Sequence, residues 1–129
     1  MKELQIVSFE QAQRLKAAGF DWLLKEFYNP RGIFETEYTQ SKKNWNKGIY
    51  ISAPTTALAL KWMRDVKNVQ NGVMYYETID GRELHYYGRH QTVPLYRNTK
   101  SFDTHEEAES ALLDGILNDL DKSDKISKT

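Results

Sequence analysis

Three histidines are the first residues to ask about, since the chain of 129 residues has no cysteine and therefore no thiol nucleophile, disulfide or thiolate metal site. His85, His90 and His105 fall on a predicted strand, a predicted loop and a predicted helix start. None of their spacings places two imidazoles on one helical face, so no metal site is expected. At a helix start the dipole disfavours an imidazolium, which makes His105 a solvated N-terminal residue. Glu106, Glu107 and Glu109 are close enough for paired-carboxylate chemistry, but their position suits helix capping better than acid–base work. The seven glycines are scattered singly and form no phosphate-cradling loop, and no serine sits in a G-x-S-x-G elbow. The expectation is a protein without catalytic residues, cofactor or metal.

A binding chemistry has more behind it. Tyr76, His85 and Tyr87 are flat side chains on one side of a predicted hairpin, and Arg89, His90, Arg97 and Lys100 follow. Rings that stack and cations that meet phosphate are what a single-stranded nucleic acid requires. Tyrosine is also an ordinary strand residue and a common interface residue. Charge is uneven: Lys42 to Lys100 holds ten Lys or Arg against four acids, while Asp103 to Asp121 holds seven acids and no base, for a net charge of zero. An acidic final helix repels a phosphate backbone wherever the two approach. Tyr76, His85, Tyr87, Arg89, Arg97 and Lys100 are thus candidates for binding either a protein partner or nucleic acid.

The elements that must position these residues are readable in turn. Ser8 with Gln11 forms a capping box, and Gly19 followed by Phe20 matches a left-handed helix end, which predicts a helix over Phe9 to Ala18. Asp21 to Tyr28 fits either a short helix or an extended segment. A turn at Asn29 to Gly32 precedes a strand over Ile33 to Tyr38, a polar loop over Ser41 to Gly48 and a short strand over Ile49 to Ile51. The stretch from Thr55 to Lys67 is the clearest helix, with Leu58, Ala59, Trp62, Met63 and Val66 as its apolar stripe and Leu60 facing the other way. Pro54 and the hydroxyls of Ser52, Thr55 and Thr56 mark its start.

Asp80 and Gly81 predict a hairpin with a two-residue loop. Ile79 then faces Arg82, Glu77 faces Leu84 and Tyr75 faces Tyr86, with Val73, Tyr75, Ile79, Leu84 and Tyr86 on the core side. Gly88 to Lys100 reads as irregular. Thr104 with Glu107 is a second capping box, opening a helix over Glu106 to Leu120. Its apolar arc is wide. Leu112, Ile116 and Leu120 suit the core, and Ala108, Ala111 and Gly115 form a strip of small residues that admits another backbone.

The predicted fold is α+β, with three helices on one face of a small, mostly antiparallel sheet, in one domain over 1–121 followed by a polar tail over 122–129. Its predicted core is Leu58, Trp62, Met63, Leu112, Ile116, Tyr75 and Leu84. No apolar run reaches the length of a membrane span or a signal core, so a cytoplasmic protein without membrane contact is expected.

SFEQAQRLKAAGFDW at Ser8 to Trp22, APTTALALKWMRDVK, and FDTHEEAESALLD at Phe102 to Asp114 together resemble a group of small uncharacterised phage and prophage proteins of gut bacteria. That resemblance implies a genomic context and no activity or site residue. The functional expectation is a small accessory protein that works by association with a protein partner or with itself as a homodimer, Ala108, Ala111 and Gly115 being the candidate oligomer interface. Nucleic-acid binding through the hairpin is the alternative.

Overall fold

The computed structural model describes residues 5–39, 41–91 and 96–127. Among these the fold is α+β, with three α-helices and two antiparallel three-stranded sheets. The chain divides into two compact units, Met1–Ala59 and Leu60–Thr129.

In the first unit α1 spans Phe9–Ala18. Both halves of its capping box form: Gln11 N–H donates to Ser8 Oγ at 3.1 Å, and Ser8 N–H donates to Gln11 Oε1 at 2.9 Å. Gly19 takes φ of 99°, and Phe20 N–H returns to the Leu15 carbonyl, leaving the Phe20 ring buried. The open question over Asp21 to Tyr28 resolves as extended chain. β1 (Glu26–Tyr28) pairs with β2 (Phe34–Thr36) and β3 (Ile51–Ser52) in the order β2-β1-β3. Trp45, in the expected polar loop, stacks on Phe27 at 4.0 Å between centroids and donates its indole N–H to the Leu24 carbonyl. An aromatic cluster does here what strands of two or three residues cannot do by hydrogen bonds alone.

α2 (Thr56–Asp65) contains the division between the units, and Thr55 Oγ1 caps it by accepting from Leu58 N–H. Trp62 and Met63 are buried as expected. Leu60, expected to face outward, is also buried, whereas Val66 lies beyond the last helical residue and is 47% exposed. Burial therefore follows an arc through Thr56, Ala59, Leu60, Trp62 and Met63, with Leu58 only partly covered at its flank.

The second unit is built on β4 (Gln70–Glu77), β5 (Leu84–Gln91) and β6 (Arg97–Asn98), in the order β4-β5-β6, with α3 (His105–Ser127) packed on β4 and β5. The β4–β5 register is the expected one, with Glu77 opposite Leu84 and Tyr75 opposite Tyr86. The turn is different. Thr78 N–H donates to the Glu83 carbonyl, Gly81 N–H donates to the Thr78 carbonyl, and of Asp80 and Gly81 only Gly81 has positive φ. The Asp80 carboxylate accepts from the Thr78 hydroxyl and the Arg82 amide, which closes the loop without the two left-handed residues a mirror-image turn needs.

Gly88 belongs to β5 rather than to an irregular segment, and α3 crosses directly over it: a Cβ there would lie 2.6 Å from Leu112 Cβ. Because α3 begins at His105, whose ring meets Tyr86 edge-on at 5.8 Å, it covers Tyr86, Gly88 and His90 and leaves the outer hairpin unsupported. Tyr75, Leu84 and Ile79 share the correct side but are 70%, 40% and fully exposed, so they are not core. At the other end α3 continues through Ser127 into the expected tail, since neither glycine nor proline follows Leu120 to stop it. The Thr104 cap is half formed: Thr104 Oγ1 accepts from Glu107 N–H and donates to the Glu107 carboxylate.

The strands thus form two sheets instead of one. β1–β2 and β4–β5 pair neighbours across short turns at little loop-closure entropy, whereas β3 returns to β1 over a longer stretch of chain.

Candidate interaction surface

Alternation along β4 and β5 sorts the candidate residues by face. With Tyr86, Gly88 and His90 turned to α3, the opposite face carries His85, Tyr87 and Arg89 from β5 with Met74 and Tyr76 from β4. Tyr76 sits at the centre. Its ring lies 5.3 Å from His85 and 6.3 Å from Tyr87, and its hydroxyl shares a 3.0 Å hydrogen bond with Ser101 Oγ. The Arg89 guanidinium lies over the Tyr96 ring at 4.1 Å, a cation–π contact. Gly72, where an added Cβ would meet nothing within 4 Å, floors a groove of about 310 Å³ walled by Met74, Arg89 and Tyr96.

Acids reach this face as well. His85 Nε2 is 3.0 Å from Glu83 and its Nδ1 is 3.7 Å from Asp103, so the ring nearest Tyr76 is bracketed by carboxylates.

Arg97 and Lys100 are not part of this face. The Arg97 guanidinium meets Asp119 of α3 at 3.2 Å, and the same carboxylate meets His90 Nε2 at 3.1 Å. His90 and Asp119 are 4% and 11% exposed, so their contact is largely buried on the helix side of the sheet, and the exposed Arg97 reaches it from solvent. Lys100 lies over Phe102, and both line a second groove of about 620 Å³ between α3 and the β6 segment. Of the six residues expected to act together, Tyr76, His85, Tyr87 and Arg89 are brought together, and Arg97 and Lys100 are carried to the other side.

Of the strip of small residues, Ala108 is fully buried, Gly115 faces His90 of β5 so closely that a Cβ would stand 3.3 Å from its Cε1, and Ala111 and Gly115 line the second groove. Gly115 thus admits the chain's own β5, while Ala111 stays partly exposed.

Tyr96 and Met74 were not among the expected site residues. Met74 alternates with Tyr76 in one strand and could be placed by period alone, whereas the Arg89–Tyr96 stack joins β5 to a residue beyond it and leaves no local signal. The His90–Asp119 contact spans 29 residues and was equally hidden. Among the described residues no group of three or more histidines and acids is arranged to hold a metal, and no helix is long and apolar enough to cross a membrane. No family model, curated protein or solved structure matches this chain.

Proposed function

We propose that this chain is a non-catalytic association module that holds a protein partner on the outer face of its second sheet. The observation behind the proposal is the gathering of Met74, Tyr76, Tyr87 and the Arg89–Tyr96 stack on one exposed face. Tyrosine, methionine and arginine are the residue types enriched at the centres of protein interfaces. Rings already in contact lose little further freedom when a partner covers them. The accessory role, the phage context and a cytoplasmic location belong to the same proposal and rest on the sequence alone.

Single-stranded nucleic acid is the second reading, favoured by the flat guanidinium on Tyr96 beside Tyr87. Against it stand Glu83 and Asp103 next to the rings, and the engagement of Arg97 by Asp119.

A photoreactive benzoylphenylalanine replacing Tyr87, compared with one replacing the exposed Glu10, separates these readings in cells. Discrete protein adducts from position 87 and not from position 10 are expected. Adducts removed by nuclease would transfer the proposal to nucleic acid, and equal labelling from both positions would end it.

A further inference from the structure

We infer that β4 pairs with β4 of a second copy of this chain, antiparallel about a two-fold axis at Met74, making one continuous sheet from two. The inference starts from the backbone edge of β4 but draws Tyr76 and the groove walled by Met74, Arg89 and Tyr96 into the seam, so the second copy takes part of the outer face, and failure of the inference leaves that face free for another protein.

β4 is the terminal strand of its sheet. The Thr78 N–H to Glu83 carbonyl bond sets the phase of the ladder, and hydrogen-bonded pairs alternate from there. Val73, Tyr75 and Glu77 accordingly turn their N–H and C=O groups away from β5, and no backbone partner meets them among the described residues. Exposed edges are normally blunted by lysine, proline, a bulge or brevity. β4 has none of these: Gln70–Glu77 is eight residues long, contains no proline, lysine or arginine, and keeps an unbroken register.

The strand is also complementary to itself. With the axis at Met74, Val73 lies opposite Tyr75 of the second copy, a β-branched and aromatic pair of the favourable kind. Gly72 lies opposite the second copy's Tyr76. The groove floored by Gly72, with Met74, Arg89 and Tyr96 as walls, is where that ring would lie, as aromatic side chains do when they cover a strand glycine. Tyr76 gives up its exposed bond to Ser101 Oγ for this and rotates outward to another staggered well.

Charge selects the same register. Asn71 lies opposite Glu77 of the second copy, and the Arg64 guanidinium is held beside Asn71 by a 2.8 Å bond to its Oδ1. Glu77 is exposed and has no cation beside it among the described residues, so each copy supplies the charge the other lacks. Moving the axis to Tyr75 sets Glu77 against Val73, and moving it to Val73 sets Glu77 against the buried Val69. A shift by half a step turns the hydrogen-bonding groups of one strand away from the other.

The test is sedimentation equilibrium of the full chain and four variants. Wild type is expected to be a dimer at tens of micromolar. Tyr75→Pro removes only an outward N–H from an edge strand, so it should leave the far-ultraviolet spectrum intact and the chain monomeric. Arg64→Glu and Glu77→Arg should each weaken the dimer roughly tenfold, from two symmetry-related pairs turned to like charges, and Arg64→Glu with Glu77→Arg should restore it. A wild-type monomer at high micromolar concentration overturns the inference. So does a dimer that survives Tyr75→Pro. If that variant fails to fold, the charge pair decides: single reversals without effect, or a double reversal without rescue, overturn it equally.

Discussion

Gly88→Ala tests the close approach of α3 to β5, on which the whole second unit depends. The added methyl would stand 2.6 Å from Leu112 Cβ and 3.1 Å from its Cγ and Cδ1. Carbon atoms in contact prefer about 3.5–4.0 Å, so strand or helix must retreat by roughly 1 Å. Leu112 cannot relieve the clash by changing rotamer, because Cβ is fixed to the helix backbone and the residue is fully buried. Overpacking of this kind costs about 1–3 kcal/mol, and removing a glycine from a strand returns about 0.5–1 kcal/mol. The net loss is about 1 kcal/mol, which at an m-value of about 1.5 kcal/mol/M lowers the urea midpoint by roughly 0.7 M. Gly72→Ala is the matched control, since it sits in the partner strand with nothing within 4 Å of its added methyl. Its expected effect is a gain of about 0.5 kcal/mol in monomer stability, measured at a concentration too low for association. Opposite signs for the two substitutions support the packing described here. A Gly88→Ala chain as stable as the Gly72→Ala chain would refute it.

The remaining predictions concern the rest of the chain. Trp62→Ala removes the largest fully buried side chain and should cost about 3–5 kcal/mol by denaturant titration; a loss under about 1 kcal/mol would show that Trp62 is not in the core. Gly19→Ala forces a side chain into φ of 99° and should destabilise α1 by about 1 kcal/mol, seen as faster amide exchange in its last turn. The Thr78 hydroxyl, then the Arg82 amide, hold the Asp80 carboxyl below the usual carboxylate range, so its contribution is present above the unfolded pKa and is lost as pH falls through the lower folded value. Thr78→Val should move the Asp80 titration upward in a carbon-detected NMR experiment, and an unmoved curve would mean that the hydroxyl does not reach it.

Local chemistry made some elements legible from the amino-acid sequence alone. Ser8, Gln11, Gly19 and Phe20 fixed both ends of α1 because caps act over three or four residues, and the period-two pattern around Asp80 and Gly81 fixed the β4–β5 register for the same reason. The turn itself escaped that reading, since Asp80 closed the loop with its side chain in place of a left-handed backbone. Only tertiary structure could decide how far α3 reaches along the hairpin, and hence that Tyr86, Gly88 and His90 are covered while Tyr75 and Leu84 are not. The same holds for the candidate surface. Alternation placed Tyr76, His85 and Tyr87 on one face, but Arg97 lies on the other, opposite His90 in the β5–β6 register and beside an aspartate 22 residues later, a pairing set by position in space and not by spacing along the chain.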